Sequence, residues 1–264
     1  IMYYLAQMVR YPYDFKQLIY SSQLVQADCI RSNVEHMRRA RGRCMGSAYW
    51  QVNDSNPVIS WSSIDYFGRW KGLHYYAKRF YGPCLISCDD TNRKKPVLNI
   101  SNERMTAFEG VVKWTLRNNK AEILQSGEKS VNVPALTAQN VLDIDLSQEL
   151  VSRTDPREKY LEYSIMENGK VLSVGTTLFV RPKEFTFLEP AITYGISESE
   201  DKFALTFCAE NYAKSVCLSL KTADCVFSDN WFDIHGKEPV TIMIDKASLS
   251  RKMTAQELSR ELEI

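Results

Sequence analysis

The chain has 264 residues, of which 44% are hydrophobic and 25% charged, a balance that suits a globular protein with room for two or three domains. Thirty-three basic residues against 32 acidic ones leave a formal net charge of +1, so no global field recruits nucleic acid or a membrane surface, and a neutral ligand fits better. Seven cysteines in no repeated CxxC spacing argue against a disulfide framework and a zinc site, and read as reduced, mostly buried thiols.

The opening residues resemble the middle of a domain. Tyr11-Pro12-Tyr13-Asp14 is a break in which Asp14 can cap a helix. Ala27, Ile30, Val34 and Met37 then recur at spacings of three and four, predicting an amphipathic helix from about Gln17 to Arg41, closed by Gly42. The basic run from Arg38 to Arg43 reads as the solvated last turn of that helix, where cations complement the macrodipole, rather than as a nucleic-acid patch. Cys44–Gln51 is short, apolar and rich in small residues, the pattern of a fully buried strand. A polar and aromatic loop follows from Val52 to Gly68, and a helical pattern resumes from Arg69 to Phe80. Helix, buried strand, loop and helix form an α/β unit whose loop lies at the carboxyl end of the strand, where barrels of parallel strands carry their sites.

After Pro83 the pattern changes to short runs of period two: Cys84–Cys88, Val97–Ser101, Phe108–Leu116, Lys129–Val133, Val141–Asp145, Lys159–Met166 and Val171–Val180. Asn168-Gly169 between two of them predicts a type I′ hairpin, and the set describes an immunoglobulin-like sandwich ending near Pro182. A second all-β unit is predicted from Phe185, with strands at Ala204–Ala209, Ser215–Leu220, Cys225–Phe227 and Val240–Ile244. Thr254-Ala255-Gln256-Glu257 is a capping box opening a terminal helix. The predicted fold class is therefore α/β plus all-β: residues 1–82 as a partial α/β domain, 83–183 as the sandwich, and 184–264 as a second β-sandwich domain with a short helix.

The chemistry gathers between Tyr49 and Phe80, where Trp50, Trp61 and Trp70 lie near Asn53 and Asp54. Aromatic faces beside a few hydrogen-bonding side chains suit a pyranose, with its apolar C–H faces and rim of hydroxyls. Trp70 and Tyr75, on the helical side, read as core. His36 and His74 sit on separate helices with no liganding neighbour and read as structural. No phosphate loop, GxGxxG, GxSxG or HExxH pattern is present, so no metal or cofactor is expected.

The stretch YWQVNDSNPVISWSSIDYFGRWKGLHYYAKRFYGP closely resembles the end of the catalytic barrel in β-mannosidases of glycoside hydrolase family two, and SDNWFDIHGKEPVTIMI, from Ser228 to Ile244, is similar to that family's last β domain. The resemblance implies a (β/α)8 barrel end over residues 1–82, followed by the two β domains. It also implies exo-hydrolysis of terminal non-reducing β-D-mannose, with retention, by two glutamates. The family's SEFG nucleophile motif is absent. The glutamates are therefore expected upstream of Ile1, in the remainder of the polypeptide, and this chain is expected to be inactive alone. Glu35 reads as a helix carboxylate facing its arginines, and the Asp54/Asp65 pair as architectural rather than catalytic. By the resemblance Trp50 is the platform under the sugar, Trp61 a second wall, and Asn53 and Asp54 either bind hydroxyls or hold the loop. The resemblance implies a β-mannoside or mannooligosaccharide as the partner, and no nucleic acid or membrane is expected. The expected location is cytoplasmic in a bacterium and lysosomal in an animal. A noncatalytic carbohydrate-binding or scaffold module is the alternative, and a galactoside or glucuronide specificity is disfavoured because the glucuronidase Asn-x-Lys reader is missing.

Overall fold

The computed structural model describes residues 2–264. The chain forms two compact units. One takes in the residues up to Tyr49 together with Tyr76–Thr186, the other Trp50–Tyr75 together with Phe187–Ile264.

The first unit opens with helices α1 (Met2–Met8) and α2 (Phe15–Arg39). The Asp14 carboxylate accepts the Gln17 N–H at 2.7 Å, satisfying one of the donors that a helix start leaves without a partner. Leu24, Ala27 and Val34 form the buried stripe of α2, at the spacings the sequence shows. Its last turn differs from expectation. Arg38 is buried, and its guanidinium donates to the carbonyls of Phe80, Gly82 and Ser101. Arg41 donates to the Leu136 carbonyl and pairs with Glu103. These backbone carbonyls, drawn from chain segments 42 to 95 residues away, hold the cations inward, which charge patterning cannot foresee.

The strand predicted at Cys44–Gln51 does not form: residues 44–51 are irregular. A strand exists only through a ladder with a neighbour, and none of the described strands pairs with this segment. A barrel end is thus not visible among the described residues, which in this part hold α1, α2 and α3 (Gly72–Phe80) joined by irregular chain.

The alternating runs beyond Pro83 fold close to where they were read. They are β1 (Cys84–Asp89), β2 (Val97–Asn102), β3 (Phe108–Asn118), β4 (Ile123–Val133), β5 (Thr137–Asp143), the turn α4 (Asp155–Glu158), β6 (Lys159–Glu167) and β7 (Lys170–Leu178). Two antiparallel sheets result, β1-β2-β5 and β4-β3-β6-β7. Between them lie Ile86, Leu98 and Ile100 from one sheet and Val112, Leu116, Leu161 and Ile165 from the other, all fully buried. This is an immunoglobulin-like sandwich. Asn168 and Gly169 have φ of 50° and 75°, the two positive values a type I′ turn requires. Gly175 pairs with Tyr163 across β6 and β7, and a Cβ there would stand 2.3 Å from the tyrosine ring.

In the second unit, β8 (Thr193–Glu198), β9 (Lys202–Cys208) and β13 (Val240–Asp245) make a sheet of order β13-β9-β8. β10 (Ala213–Val216) pairs with β12 (Phe232–Ile234), and β11 (Ser219–Leu220) with β14 (Leu262–Glu263), which follows helix α5 (Ala255–Glu261). The core includes Phe203, Leu205, Phe207, Ile234, Ile244 and Leu258. The capping box forms, with Thr254 and Glu257 bonding reciprocally. The run Cys225–Phe227, read as a strand, contributes only a bridge from Phe227 to Ile244.

Candidate functional site

The loop from Trp50 to Trp70, within the second unit, folds back on itself through backbone bonds. Ile64 N–H donates to the Val52 carbonyl at 2.7 Å, Asp54 N–H to the Ile64 carbonyl at 3.3 Å, and Lys71 N–H to the Ser63 carbonyl at 2.9 Å. Asn53 and Ile64 form a parallel bridge. The apolar residues therefore cannot all turn inward. Trp50 is 74% exposed and Trp61 61%, with Val58 and Ile59 also open to solvent. The Trp50–Gln51 peptide bond is cis. Two exposed indoles on one short loop are unusual for side chains whose burial would otherwise stabilise the fold.

Beneath them sits a polar cluster. The Asp54 side chain is only 2% exposed. Its Oδ1 accepts the Ser60 hydroxyl at 2.6 Å and the Gln51 amide at 3.4 Å, and its Oδ2 accepts the Ser62 hydroxyl at 2.5 Å. The Lys71 ammonium lies 3.5 Å from Oδ2 and donates to the Ser62 hydroxyl at 2.7 Å. The hydroxyls of Ser60 and Ser62, assisted by Lys71, hold the Asp54 carboxyl below its usual range against the opposing effect of burial. It stays an anion whose two oxygens are both in use. Asn53, by contrast, is exposed, and its amide donates to the Asp54 carbonyl at 3.3 Å.

Asp65 is also committed. Its Oδ1 accepts the N–H groups of Phe67 and Arg69 at 2.8 and 2.9 Å, an Asx turn ending at Gly68, whose φ is +84°. Ser63 Oγ stands 3.0 Å from His74 Nδ1, a pair that invites a nucleophilic reading; Ser63, however, is fully buried and its hydroxyl donates to the Val52 carbonyl. Burial lowers the His74 pKa. Trp70 packs on His74 and Tyr75, with ring centroids 4.3 and 5.2 Å apart, and the buried Tyr75 hydroxyl accepts the Phe227 N–H at 3.3 Å. Among the described residues, no group of three His, Cys, Asp or Glu side chains gathers as a metal site, and no helix is long and apolar enough to cross a membrane.

The structure thus brings the four residues singled out by sequence onto one loop, with Trp50, Asn53 and Trp61 exposed and Asp54 beneath. Sequence reading missed Ser60, Ser62 and Lys71. Their signal was present in SWSS and GRWK, but the lysine lies 17 residues from its aspartate, at no helical or strand spacing.

Comparison with known proteins adds a family context. Residues 95–184 match the family described as Mannosidase Ig/CBM-like domain, and residues 187–264 match the Ig-fold domain family of mannosidases. The chain is 45% identical over 78 residues to a β-mannosidase of Capra hircus, covering 27% of this chain and 9% of that protein. It is 27% identical over 216 residues to β-mannosidase A of Aspergillus fumigatus, covering 75% of this chain and 22% of the relative. Its fold superposes on a β-D-mannosidase from Dictyoglomus thermophilum with a TM-score of 0.86 at 21% identity, over 99% of this chain and 31% of that one. An exo-chitosanase of Amycolatopsis orientalis follows at 0.69 and 15% identity, over 98% and 34%. The chain therefore spans between 9% and 34% of the length of each of these proteins.

Proposed function

We propose that this chain, whose two β domains belong to the immunoglobulin-like domain families of mannosidases, is part of a retaining exo-β-mannosidase that removes terminal non-reducing β-D-mannose from β-mannosides. On this reading residues 1–82 are the end of a (β/α)8 barrel, and 83–183 and 184–264 are accessory β domains. The chain supplies the sugar-stacking wall. The two catalytic glutamates, which in retaining enzymes stand about 5 to 5.5 Å apart, belong to the rest of the polypeptide.

The observation that carries the reading is the pair Trp50 and Trp61, exposed on a loop whose Ser60 and Ser62 side chains are tied to the buried Asp54 carboxylate. An indole face gains most from a pyranose when it is already held in place, because less ordering is then needed on binding. On this reading Asn53, exposed on the same loop, bonds a sugar hydroxyl, and Asp54 contributes through the loop. The commitment of both Asp54 and Asp65 to internal hydrogen bonds speaks against their serving as the acid and nucleophile of the reaction.

The test is hydrolysis of an aryl β-mannoside by this chain and by a version extended upstream to the full open reading frame. Turnover by the extended protein alone is the expected result. Turnover by the short chain would mean that it holds its own carboxylate pair. Inactivity of both, with sugar binding retained, would favour a noncatalytic carbohydrate-binding module.

A further inference from the structure

The Asp54 carboxylate is bonded to the immediate neighbours of both exposed tryptophans. Gln51, next to Trp50, donates to Oδ1 at 3.4 Å. Ser60 and Ser62, on either side of Trp61, donate to Oδ1 and Oδ2 at 2.6 and 2.5 Å. Between positions 51 and 60 the intervening residues are exposed except for Asp54 itself, so no apolar core fixes the two ends of the loop against each other. Backbone bonds from the Ser63 and Ile64 N–H groups to the Gln51 and Val52 carbonyls close the base of the loop, and the buried anion adds a tether between the side chains that flank the two tryptophans. Lys71 closes the arrangement by neutralising Oδ2 and donating to the Ser62 hydroxyl. We propose that Asp54 is a positioning residue that sets the separation and tilt of the Trp50 and Trp61 indoles through Gln51, Ser60 and Ser62, and so selects ligands of one sugar-ring span.

The argument is one of geometry and strength. Hydrogen bonds to an ionised acceptor are shorter and about twice as strong as neutral ones, and here they converge on one group that solvent hardly reaches. An aspartate side chain is short and nearly rigid, so three donors on one carboxylate are held in a fixed mutual arrangement. Replacing one oxygen by an amide puts an N–H where a donor hydroxyl now points. The side chains flanking Trp50 and Trp61 then lose their common anchor, while the backbone bonds that close the base of the loop remain. A displacement of about 1 Å at a binding wall is enough to cost one to two orders of magnitude in affinity or rate.

This inference rests on the sugar-wall reading, and the experiment separates the two. The chain is labelled with 5-fluorotryptophan, which gives five fluorine resonances assigned by single Trp→Phe variants. Asp54→Asn, with Ser60→Ala and Ser62→Ala as milder variants should the first fail to fold, is compared with the wild type during titration with methyl β-mannoside. The expected result is that the Trp50 and Trp61 resonances move or broaden, that Trp114 in the sandwich stays in place, and that sugar affinity falls by about tenfold. Unchanged Trp50 and Trp61 resonances in all folded variants overturn the proposal. If affinity falls while those resonances hold still, Asp54 acts on the sugar directly, which also overturns it. If the wild type binds no methyl β-mannoside, the sugar-wall reading fails, and the fluorine spectra alone still decide whether Asp54 tethers the two indoles.

Discussion

Replacing Asp233 perturbs the second unit at a buried carboxylate whose burial is offset by neighbouring charge and hydrogen bonds. The carboxylate accepts the Tyr212 hydroxyl at 2.7 Å and the Ser215 N–H at 2.8 Å, with the Lys214 ammonium 3.6 Å away. Burial alone would raise its pKa, but Lys214, His235, the Ser215 N–H and the Tyr212 hydroxyl outweigh it and hold the group at about 2, against an ordinary 3.8. That difference corresponds to about 2 kcal/mol of native-state stability at neutral pH. Because the folded value lies below the unfolded one, this stabilisation is complete above roughly pH 4 and drains away as the pH falls toward 2. Asp233→Asn preserves the shape and removes the charge. Near pH 7 it should cost the second unit roughly 2 to 4 kcal/mol, since Lys214 loses its counter-charge and one donor loses its acceptor. The penalty should shrink steadily below pH 4, where the wild-type carboxyl is itself becoming neutral. Urea unfolding of both proteins from pH 7 to pH 2.5, with exchange of the Ser215 amide as a local readout, measures it. A penalty that is constant with pH, or that grows in acid, would refute the reasoning.

Other perturbations have equally definite outcomes. Gly72→Ala places a Cβ 3.1 Å from the buried Trp231 ring, so the melting temperature of the second unit should drop, with a cost of about 1 to 3 kcal/mol in a thermal scan. Arg38→Met leaves the carbonyls of Phe80 and Gly82 without this donor, and amide exchange in the last turns of α2 should accelerate at least tenfold; equal exchange would show that Arg38 is not the clamp. Burial pushes the thiols of Cys84 up to about 11 and of Cys88 and Cys225 up to about 12, so at pH 8 iodoacetamide should modify the exposed Cys29 well before these three, as read by peptide mass mapping.

Much of the fold was written locally, and the failures have physical causes. The strands of the sandwich were legible wherever one face is core, as in β6, where Leu161, Tyr163 and Ile165 alternate with more exposed residues. β4 begins at Ile123 rather than Lys129 because nearly all of it is exposed, so its polar first half carries no period-two signal. β8 carries no period-two signal for the same reason: its ladder with β9 is held by backbone bonds that side chains do not advertise. Cys44–Gln51 showed the reverse error, an apolar run with the composition of a strand and no neighbour among the described residues to pair with. At the candidate site, Trp50 and Trp61 stood out by composition. The carboxylate, hydroxyl and ammonium groups beneath them could be found only once the loop was seen to fold back.

The second unit is discontinuous in sequence: Trp50–Tyr75 belongs with Phe187–Ile264, and the whole of Tyr76–Thr186 lies between. This has a temporal consequence. Joining the two segments while the intervening chain is still flexible closes a loop of more than a hundred residues, an entropic cost on the order of 4 kcal/mol. A sandwich that has already folded replaces that flexible loop with a rigid body and removes most of the cost. The second unit should therefore complete last, both on the ribosome and in refolding, with its amides in β9 and β13 gaining protection after those of β3 and β6. During that interval the tryptophan-bearing loop exists without the domain it belongs to, and it is then that the chain is most exposed to proteases and to aggregation.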